Sequence, residues 1–268
     1  MQERPYVISI AGFDPSGGAG LLSDIKTFEQ SKVMGLGVCT ALTLQTASQC
    51  MSLEWRPVEE VTGTIQVLME NYPVSAVKIG IVKDADFLSK IVETVQKNNS
   101  EVKIVWDPVL KSTSEFTFFD LETLPQLKNI INKLSLITPN YNEYSVLKEN
   151  NLLPDTHQCS LLIKGGHRED HLGTDILVEK ETEILLVPAG NNTIYFPKHG
   201  SGCVLSSVIT AELAKGENME TACRNGKLYI GKFLKAIPLY WEHIHRKYGK
   251  ITIHITGKYQ AGTGTSYP

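Results

Sequence analysis

The chain lacks a large excess of charge of either sign, and it lacks any long apolar run. Its 268 residues carry 26 Lys and Arg against 29 Asp and Glu, a net charge of −3 at pH 7. This balance argues against a dedicated nucleic-acid binder and against a basic membrane-binding surface. No apolar stretch approaches the ~20 residues of a transmembrane helix, and no signal sequence is recognised. We therefore expect a cytoplasmic protein that binds neither nucleic acid nor membranes.

Cysteine is also scarce, and its five occurrences are scattered without a Cys-x-x-Cys pair. This spacing argues against a zinc ribbon, and it is typical of proteins from a reducing compartment. Internal repeats, low-complexity segments and a long linker are missing as well. Because a domain has roughly 100–200 residues or somewhat more, we expect a single domain over residues 1–258 and a flexible tail at 259–268.

Short apolar segments alternate with amphipathic helical patterns along most of the chain. Runs rich in Val, Ile and Leu predict buried strands at 6–11, 76–82, 103–106, 134–138 and 160–163. Two further stretches, 35–57 and 173–187, resemble strand pairs. The alternation predicts one α/β domain with a mostly parallel sheet.

Polar residues follow several of the predicted strands. Ligands of open parallel sheets bind beyond the carboxyl ends of the strands. The residues at these ends include Asp107, Asn140, Glu143 and Lys164, a set that suits phosphate and Mg²⁺. The glycine-rich loop at 17–20 has neither P-loop nor dinucleotide-binding spacing and is a weak signal by itself.

The segment Gly200-Ser201-Gly202-Cys203 precedes an amphipathic helical pattern. Glycines at a helix start allow backbone N–H groups to point at an anion, which a phosphoryl group in transfer requires. A thiol in the first helical turn tends towards a lowered pKa, so we expect nucleophilic or basic character at Cys203. A plain helix start with a buried cysteine explains the same spacing equally well.

Seven segments of the chain together carry a specific resemblance. In chain order they read IAGFDPSGGAGLLSDIKTF, TALTLQT, VKIGIV, WDPV, ITPNYNE, IKGGH and KHGSGCVLSS. Over about residues 5–232 the chain resembles the hydroxymethylpyrimidine/phosphomethylpyrimidine kinases of thiamine biosynthesis, which belong to the ribokinase-like superfamily. The resemblance implies a three-layer sandwich with a mostly parallel central sheet flanked by helices, and a homodimer. It also implies ATP- and Mg²⁺-dependent phosphorylation of 4-amino-5-hydroxymethyl-2-methylpyrimidine and its monophosphate.

The resemblance implies catalytic and nucleotide-binding roles for individual residues. Cys203 would be the general base, at a position where related kinases carry Asp. The anion hole would consist of Gly200, Ser201 and Gly202. The nucleotide would contact Asp107, Asn140, Lys164 and Ser201, and Mg²⁺ would be held by Asp107, Asn140 and Glu143.

The resemblance implies a pyrimidine site as well. Asp24 and Gln45 would read the amino and ring-nitrogen edge of the pyrimidine, although by position alone Asp24 is equally explained as a partner of the helix dipole. His167 and His199 would position loops or contact phosphate. The other predicted pyrimidine contacts are Gly12, Ala19, Thr43, Ile81 and Val109.

Two alternatives stay open from the sequence. Some vitamin B6 kinases of the same architecture share the Gly-x-Gly-Cys ending, so a pyridoxal kinase is one alternative. A non-catalytic pyrimidine-binding or regulatory protein of the same fold is another. The predicted catalytic and metal-binding residues are all present, which argues against the second alternative.

Overall fold

The computed structural model describes residues 3–112, 116–166, 173–188, 195–196 and 198–235. Their strands are β1 Tyr6–Phe13, β2 Met34–Gln45, β3 Cys50–Trp55, β4 Val74–Ile79, β5 Lys103–Trp106, β6 Leu136–Ile137, β7 Ser160–Ile163, β8 Asp175–Glu179 and β9 Thr182–Leu186. Their helices are α1 Gly20–Gln30, α2 Val58–Asn71, α3 Ala85–Asn98, α4 Tyr141–Glu149, α5 Ser201–Ala214 and α6 Met219–Lys235. Two 3₁₀ segments, Leu121–Asn129 and Ile131–Lys133, precede β6.

The described strands form one sheet in the order β3-β2-β1-β4-β5-β6-β7-β8-β9. The pairs from β2 through β7 are parallel, whereas β3, β8 and β9 join as antiparallel edge strands. The parallel centre and the two strand pairs at 35–57 and 173–187 agree with the sequence prediction. Their antiparallel pairing follows because short turns connect strands only in that direction.

Helices cover both faces of the sheet. In β5 the side chains of Ile104 and Trp106 pack in the core beneath α2 and α3, while Val105 packs with α5 and α6 on the opposite face. Apolar side chains on both sides of a strand are expected for a parallel sheet that helices cover twice. This arrangement is the predicted three-layer sandwich.

The chain up to Ala236 forms one compact unit. The predicted domain end at 258, the predicted tail at 259–268 and His167 lie outside the described residues. Among the helices that the structure describes, none combines the length and apolar character needed to cross a bilayer.

Candidate active site

The carboxyl ends of the central strands meet the start of α5. Asp107 follows β5, Asn140 precedes α4 after β6, and Lys164 follows β7. A bridge of β type joins Asn140 to Lys164, and Lys164 Nζ lies 2.6 Å from Asp107 Oδ1. The fold therefore brings together polar residues that are far apart in the sequence.

The glycine-rich loop after β1 packs directly against the residues that precede α5. Gly200 has a φ of 75°, and a Cβ there would lie 1.9 Å from the carbonyl oxygen of Gly18. A Cβ on Gly202 would lie 3.2 Å from Lys164 Nζ. Only glycine allows the positive φ and the close approach at Gly200. The start of α5 therefore lies beside a lysine ammonium, which suits an anion.

Asp14 links three segments around this loop. Its carboxylate accepts hydrogen bonds from the backbone N–H groups of Ser16 at 2.8 Å and Ala19 at 2.9 Å, and it lies 3.0 Å from His199 Nε2. Burial alone would raise the pKa of Asp14, but hydrogen bonds from His199, Gln45 and Ser16 outweigh burial and lower it below the usual range. His199 thus joins the loop before α5 to the loop after β1, which is consistent with its expected loop-positioning role.

Asp24 lies away from the surface, which contradicts its predicted role in reading the pyrimidine. Its side chain has no exposed area. Lys78 Nζ lies 2.6 Å from Oδ1, Ser207 Oγ donates to the same oxygen at 2.8 Å, and Ser9 Oγ donates to Oδ2 at 2.6 Å. Because Asp24 is also outside the first turn of α1, the helix-dipole explanation fails too. The carboxylate instead belongs to a buried ion pair between α1 and β4.

Asp107 and Lys164 form a second ion pair, in which the Asp107 side chain is 1% exposed. Ser206 Oγ donates to Asp107 Oδ2 at 3.1 Å. Burial would raise the pKa of Asp107, but the Lys164 ammonium is the main cause of a net lowering. Ser206 and Ser207 are neighbours in α5, and Ser207 donates to Asp24 of the first ion pair. One turn of this helix therefore hydrogen-bonds to the carboxylates of both buried ion pairs.

Asn140 and Glu143 cap α4 reciprocally. Asn140 Oδ1 accepts a hydrogen bond from Glu143 N at 2.9 Å, and Glu143 Oε2 accepts one from Asn140 N at 2.7 Å. Burial raises the pKa of Glu143 to about 7; Lys164 opposes this rise, and the nearby Asp107 carboxylate adds to it. Buried negative charge of this kind would be offset by a cation.

The oxygen donors at this edge fit Mg²⁺. Asp107 and Glu143 offer carboxylate oxygens and Asn140 an amide oxygen, and hard cations prefer such ligands. Within the described ranges, no group of three or more His, Cys, Asp and Glu side chains could hold a metal ion. The protein would therefore supply only part of the coordination, as is usual where Mg²⁺ binds together with substrate phosphates.

Cys203 lies in the first turn of α5 and is partly exposed. The predicted helix position is right, but the expected lowering of the thiol pKa is wrong. Burial raises the pKa of Cys203, and Asp24 and Asp107 add to the rise, while Lys78 and the backbone of Gly20 oppose it. The resting form at neutral pH is therefore the thiol.

Three of the predicted pyrimidine contacts lie next to the loop after β1, and Ala19 belongs to that loop. A Cβ on Gly12 would lie 2.4 Å from Ile81 Cδ1, so these two residues are in contact. Thr43 Oγ1 donates to the carbonyl oxygen of Phe13 at 2.9 Å, which ties the end of β2 to this loop. The partly exposed members of the set are Ala19, Thr43, Gln45, Ile81 and Val109. They provide mostly apolar surface beside the polar cluster.

A family model described as phosphomethylpyrimidine kinase matches residues 14–248. The chain belongs to this family. A hydroxymethylpyrimidine/phosphomethylpyrimidine kinase of Aquifex aeolicus is 32% identical over 243 residues, which cover 85% of this chain and 93% of the relative. A crystal structure of phosphomethylpyrimidine kinase from Clostridium difficile 630 has a TM-score of 0.70 and 31% identity, covering 87% of this chain and 100% of that chain. An ADP complex of Bacillus subtilis pyridoxal kinase has a TM-score of 0.74 and 26% identity, covering 89% and 95%.

Membership of the phosphomethylpyrimidine kinase family confirms the predicted fold and the assignment as a phosphotransferase. Sequence reasoning missed Asp14 and Lys78 at this site. Lys78 carries a signal that could have found it, since it is a lysine within the apolar strand β4 and has no exposed area. A buried lysine requires a charged or polar partner, and Asp24 is that partner.

Proposed function

We propose that this kinase transfers the γ-phosphoryl group of ATP to the hydroxymethyl group of 4-amino-5-hydroxymethyl-2-methylpyrimidine, and also phosphorylates the resulting monophosphate, in thiamine biosynthesis. The observation that carries the proposal is the position of Cys203 in the first turn of α5, beside Lys164 and Asp107. Phosphoryl transfer to an alcohol needs a proton acceptor and an anion-binding site within reach of each other.

The nucleotide would bind along the edge formed by β5, β6 and β7. Lys164 would contact the phosphates, with Asp107, Asn140 and Ser201 as further nucleotide contacts. The ADP bound to the Bacillus subtilis relative supports ATP as the phosphoryl donor. Asp107, Asn140 and Glu143 would hold Mg²⁺ directly or through water. When bound, Mg²⁺ offsets the phosphate charge.

In the transfer step the hydroxymethyl oxygen attacks the γ-phosphorus while the bond to the leaving oxygen of ADP breaks. Cys203 Sγ takes the hydroxyl proton as general base. The backbone of Gly200, Ser201 and Gly202 stabilises the transferred group. Because the resting thiol is protonated, the thiolate must form before transfer, and the rate should rise with pH.

The pyrimidine would lie against Gly12, Ala19, Thr43, Ile81 and Val109. Because Asp24 is paired with Lys78, Gln45 is the residue that would hydrogen-bond to the polar edge of the pyrimidine. A glutamine amide offers one acceptor and two donors. Gln45 already donates one N–H to Asp14, so its carbonyl oxygen would accept from the exocyclic amine and its other N–H would donate to the neighbouring ring nitrogen.

Pyridoxal is the second candidate acceptor, since the Bacillus subtilis pyridoxal kinase shares the fold at a TM-score of 0.74. A coupled ADP-release assay with the hydroxymethylpyrimidine, its monophosphate and pyridoxal in parallel separates the candidates. We expect the highest kcat/KM for the hydroxymethylpyrimidine. A much higher value for pyridoxal would overturn the proposed substrate.

We also propose a cytoplasmic homodimer of single-domain subunits. Leu42, Leu44 and Met51 leave 45%, 60% and 48% of their surface exposed on the β2–β3 pair, an apolar surface that a second copy could cover. Sedimentation should give twice the 29.7 kDa mass of the chain. A species of single-chain mass would contradict the dimer.

A further inference from the structure

A buried ion pair that the proposed reaction does not use lies next to the backbone that follows Lys164. Lys227 Nζ on α6 is 2.7 Å from Asp175 Oδ2 at the start of β8, and the two side chains are 11% and 5% exposed. Lys227 also donates to the carbonyl oxygen of Gly173. Replacing a buried ion pair by apolar residues is often neutral or stabilising, so folding alone does not explain why this site carries charge.

The second oxygen of Asp175 reaches the active-site backbone. Asp175 Oδ1 accepts a buried hydrogen bond from the backbone N–H of Gly165 at 2.9 Å. Gly173 N donates to the carbonyl oxygen of Gly165 at 2.9 Å, and a Cβ on Gly165 would lie 1.8 Å from the carbonyl oxygen of Thr174. Gly165, which directly follows Lys164, therefore has both its N–H and its carbonyl oxygen hydrogen-bonded to residues 173–175.

We propose that Asp175 is a positioning residue for Lys164. The inference rests on the proposed function, in which Lys164 contacts the phosphates of ATP. The side chain of Lys164 extends from a backbone that is fixed at Gly165, and its Nζ lies 2.6 Å from Asp107 Oδ1. A shift of that backbone would move the ammonium, and displacements of about 1 Å at such groups can cost about 100-fold in rate.

Two double variants isolate the hydrogen bond to Gly165. Asp175→Asn with Lys227→Met removes both charges and keeps an oxygen that can accept from Gly165 N–H. Asp175→Leu with Lys227→Met has nearly the same shape without that acceptor. Removing the charges in pairs avoids leaving one buried charge alone. Thermal unfolding of each variant shows that it is folded.

Calorimetric titration with Mg²⁺–ATP, in the absence of pyrimidine, measures the effect on nucleotide binding. We expect the Asn variant to bind Mg²⁺–ATP within about threefold of wild type. The Leu variant should bind it at least about tenfold more weakly, a loss typical of removing a hydrogen bond that orients a ligand-contacting residue. The KM for the pyrimidine should stay unchanged in both. Equal ATP affinity in the two variants, whether both native or both weakened, would overturn the positioning role. If the wild-type protein itself bound no Mg²⁺–ATP, the proposed function would fail instead.

Discussion

Lys78 Nζ and Asp24 Oδ1 lie 2.6 Å apart, and neither side chain has any exposed surface. The pair joins the central strand β4 to α1, and Ser207 connects it to α5 one turn after Cys203. Buried charges are tolerated only when they are paired and hydrogen-bonded. This ion pair is therefore part of the support beneath the first turn of α5.

We expect Lys78→Met to destabilise the protein by about 3–5 kcal/mol, because Asp24 would remain as an unpaired buried charge. Urea unfolding measures the loss. Glu60→Ala is the matched control, since it removes the exposed ion pair with Arg56, whose side chain is 37% exposed. That change should cost at most about 1 kcal/mol. A similar cost for both substitutions would show that Asp24 finds another partner.

Cys203→Ala should reduce kcat by about 10²- to 10⁴-fold, the usual contribution of a general base, and should leave pyrimidine binding largely intact. Steady-state assays and calorimetry measure the two quantities separately. Cys39→Ala is the control, because Cys39 is also partly exposed but lies in β2. Unchanged turnover in Cys203→Ala would remove this thiol from the mechanism.

Alkylation of Cys203 by iodoacetamide should still accelerate above pH 9. Burial raises the pKa of this thiol above its ordinary 9.0, and only the thiolate is nucleophilic. Peptide mass spectrometry follows Cys203 apart from the other cysteines. A reaction rate that already levels off below pH 8 would contradict the raised pKa.

Gly200→Ala should cost more stability than Gly216→Ala and should abolish most of the activity. Both glycines have positive φ, 75° and 93°, but only Gly200 approaches another backbone, with a Cβ position 1.9 Å from Gly18 O. Within the described part of the chain, and apart from Gly216 and its two chain neighbours, no heavy atom lies within 4 Å of a Cβ on Gly216. We expect a loss of about 1 kcal/mol at Gly216 from φ strain alone, with normal kcat/KM. Equal losses of stability and activity at the two sites would show that the loop contact is unimportant.

Glu143 should make the protein without Mg²⁺ less stable as pH rises. Its pKa is about 7 in the folded state, against an ordinary 4.5, so the folded state binds the extra proton. The stabilisation is complete below about pH 4.5 and is lost as pH rises through 7, up to about 3 kcal/mol in all. Glu143→Gln should remove this dependence in urea unfolding between pH 5 and 8. The same slope in wild type and variant would assign it to other groups.

Much of the fold could be predicted from local patterns in the sequence. The alternation of apolar strands with helical periodicity predicts the parallel centre of the sheet, because strands that helices cover on both faces are apolar on both sides. The hairpins at both edges follow from short turns. The position of Cys203 at a helix start also follows, since glycine geometry is a local property of the backbone.

The partners of charged side chains were not predictable in this way. Asp24 pairs with Lys78, and Asp175 with Lys227, across sequence separations that no local pattern encodes. Whether Asp24 faces a ligand or the core depends on which strand lies beneath α1. The direction in which the pKa of Cys203 shifts likewise depends on burial and on groups contributed by α1, by β4 and by the segment after β5.

The α/β class, the family resemblance and the residues gathered at the carboxyl edge of the sheet can be predicted from the chain alone, because they depend on periodicity and on motifs along it. Which of those residues remain available to a ligand depends on contacts between elements that are far apart in the chain. Asp24 is taken up by Lys78, whereas Gln45 and Cys203 keep partial exposure. The physical reason is that a buried charge must be neutralised by whichever opposite charge the fold brings within a few ångströms.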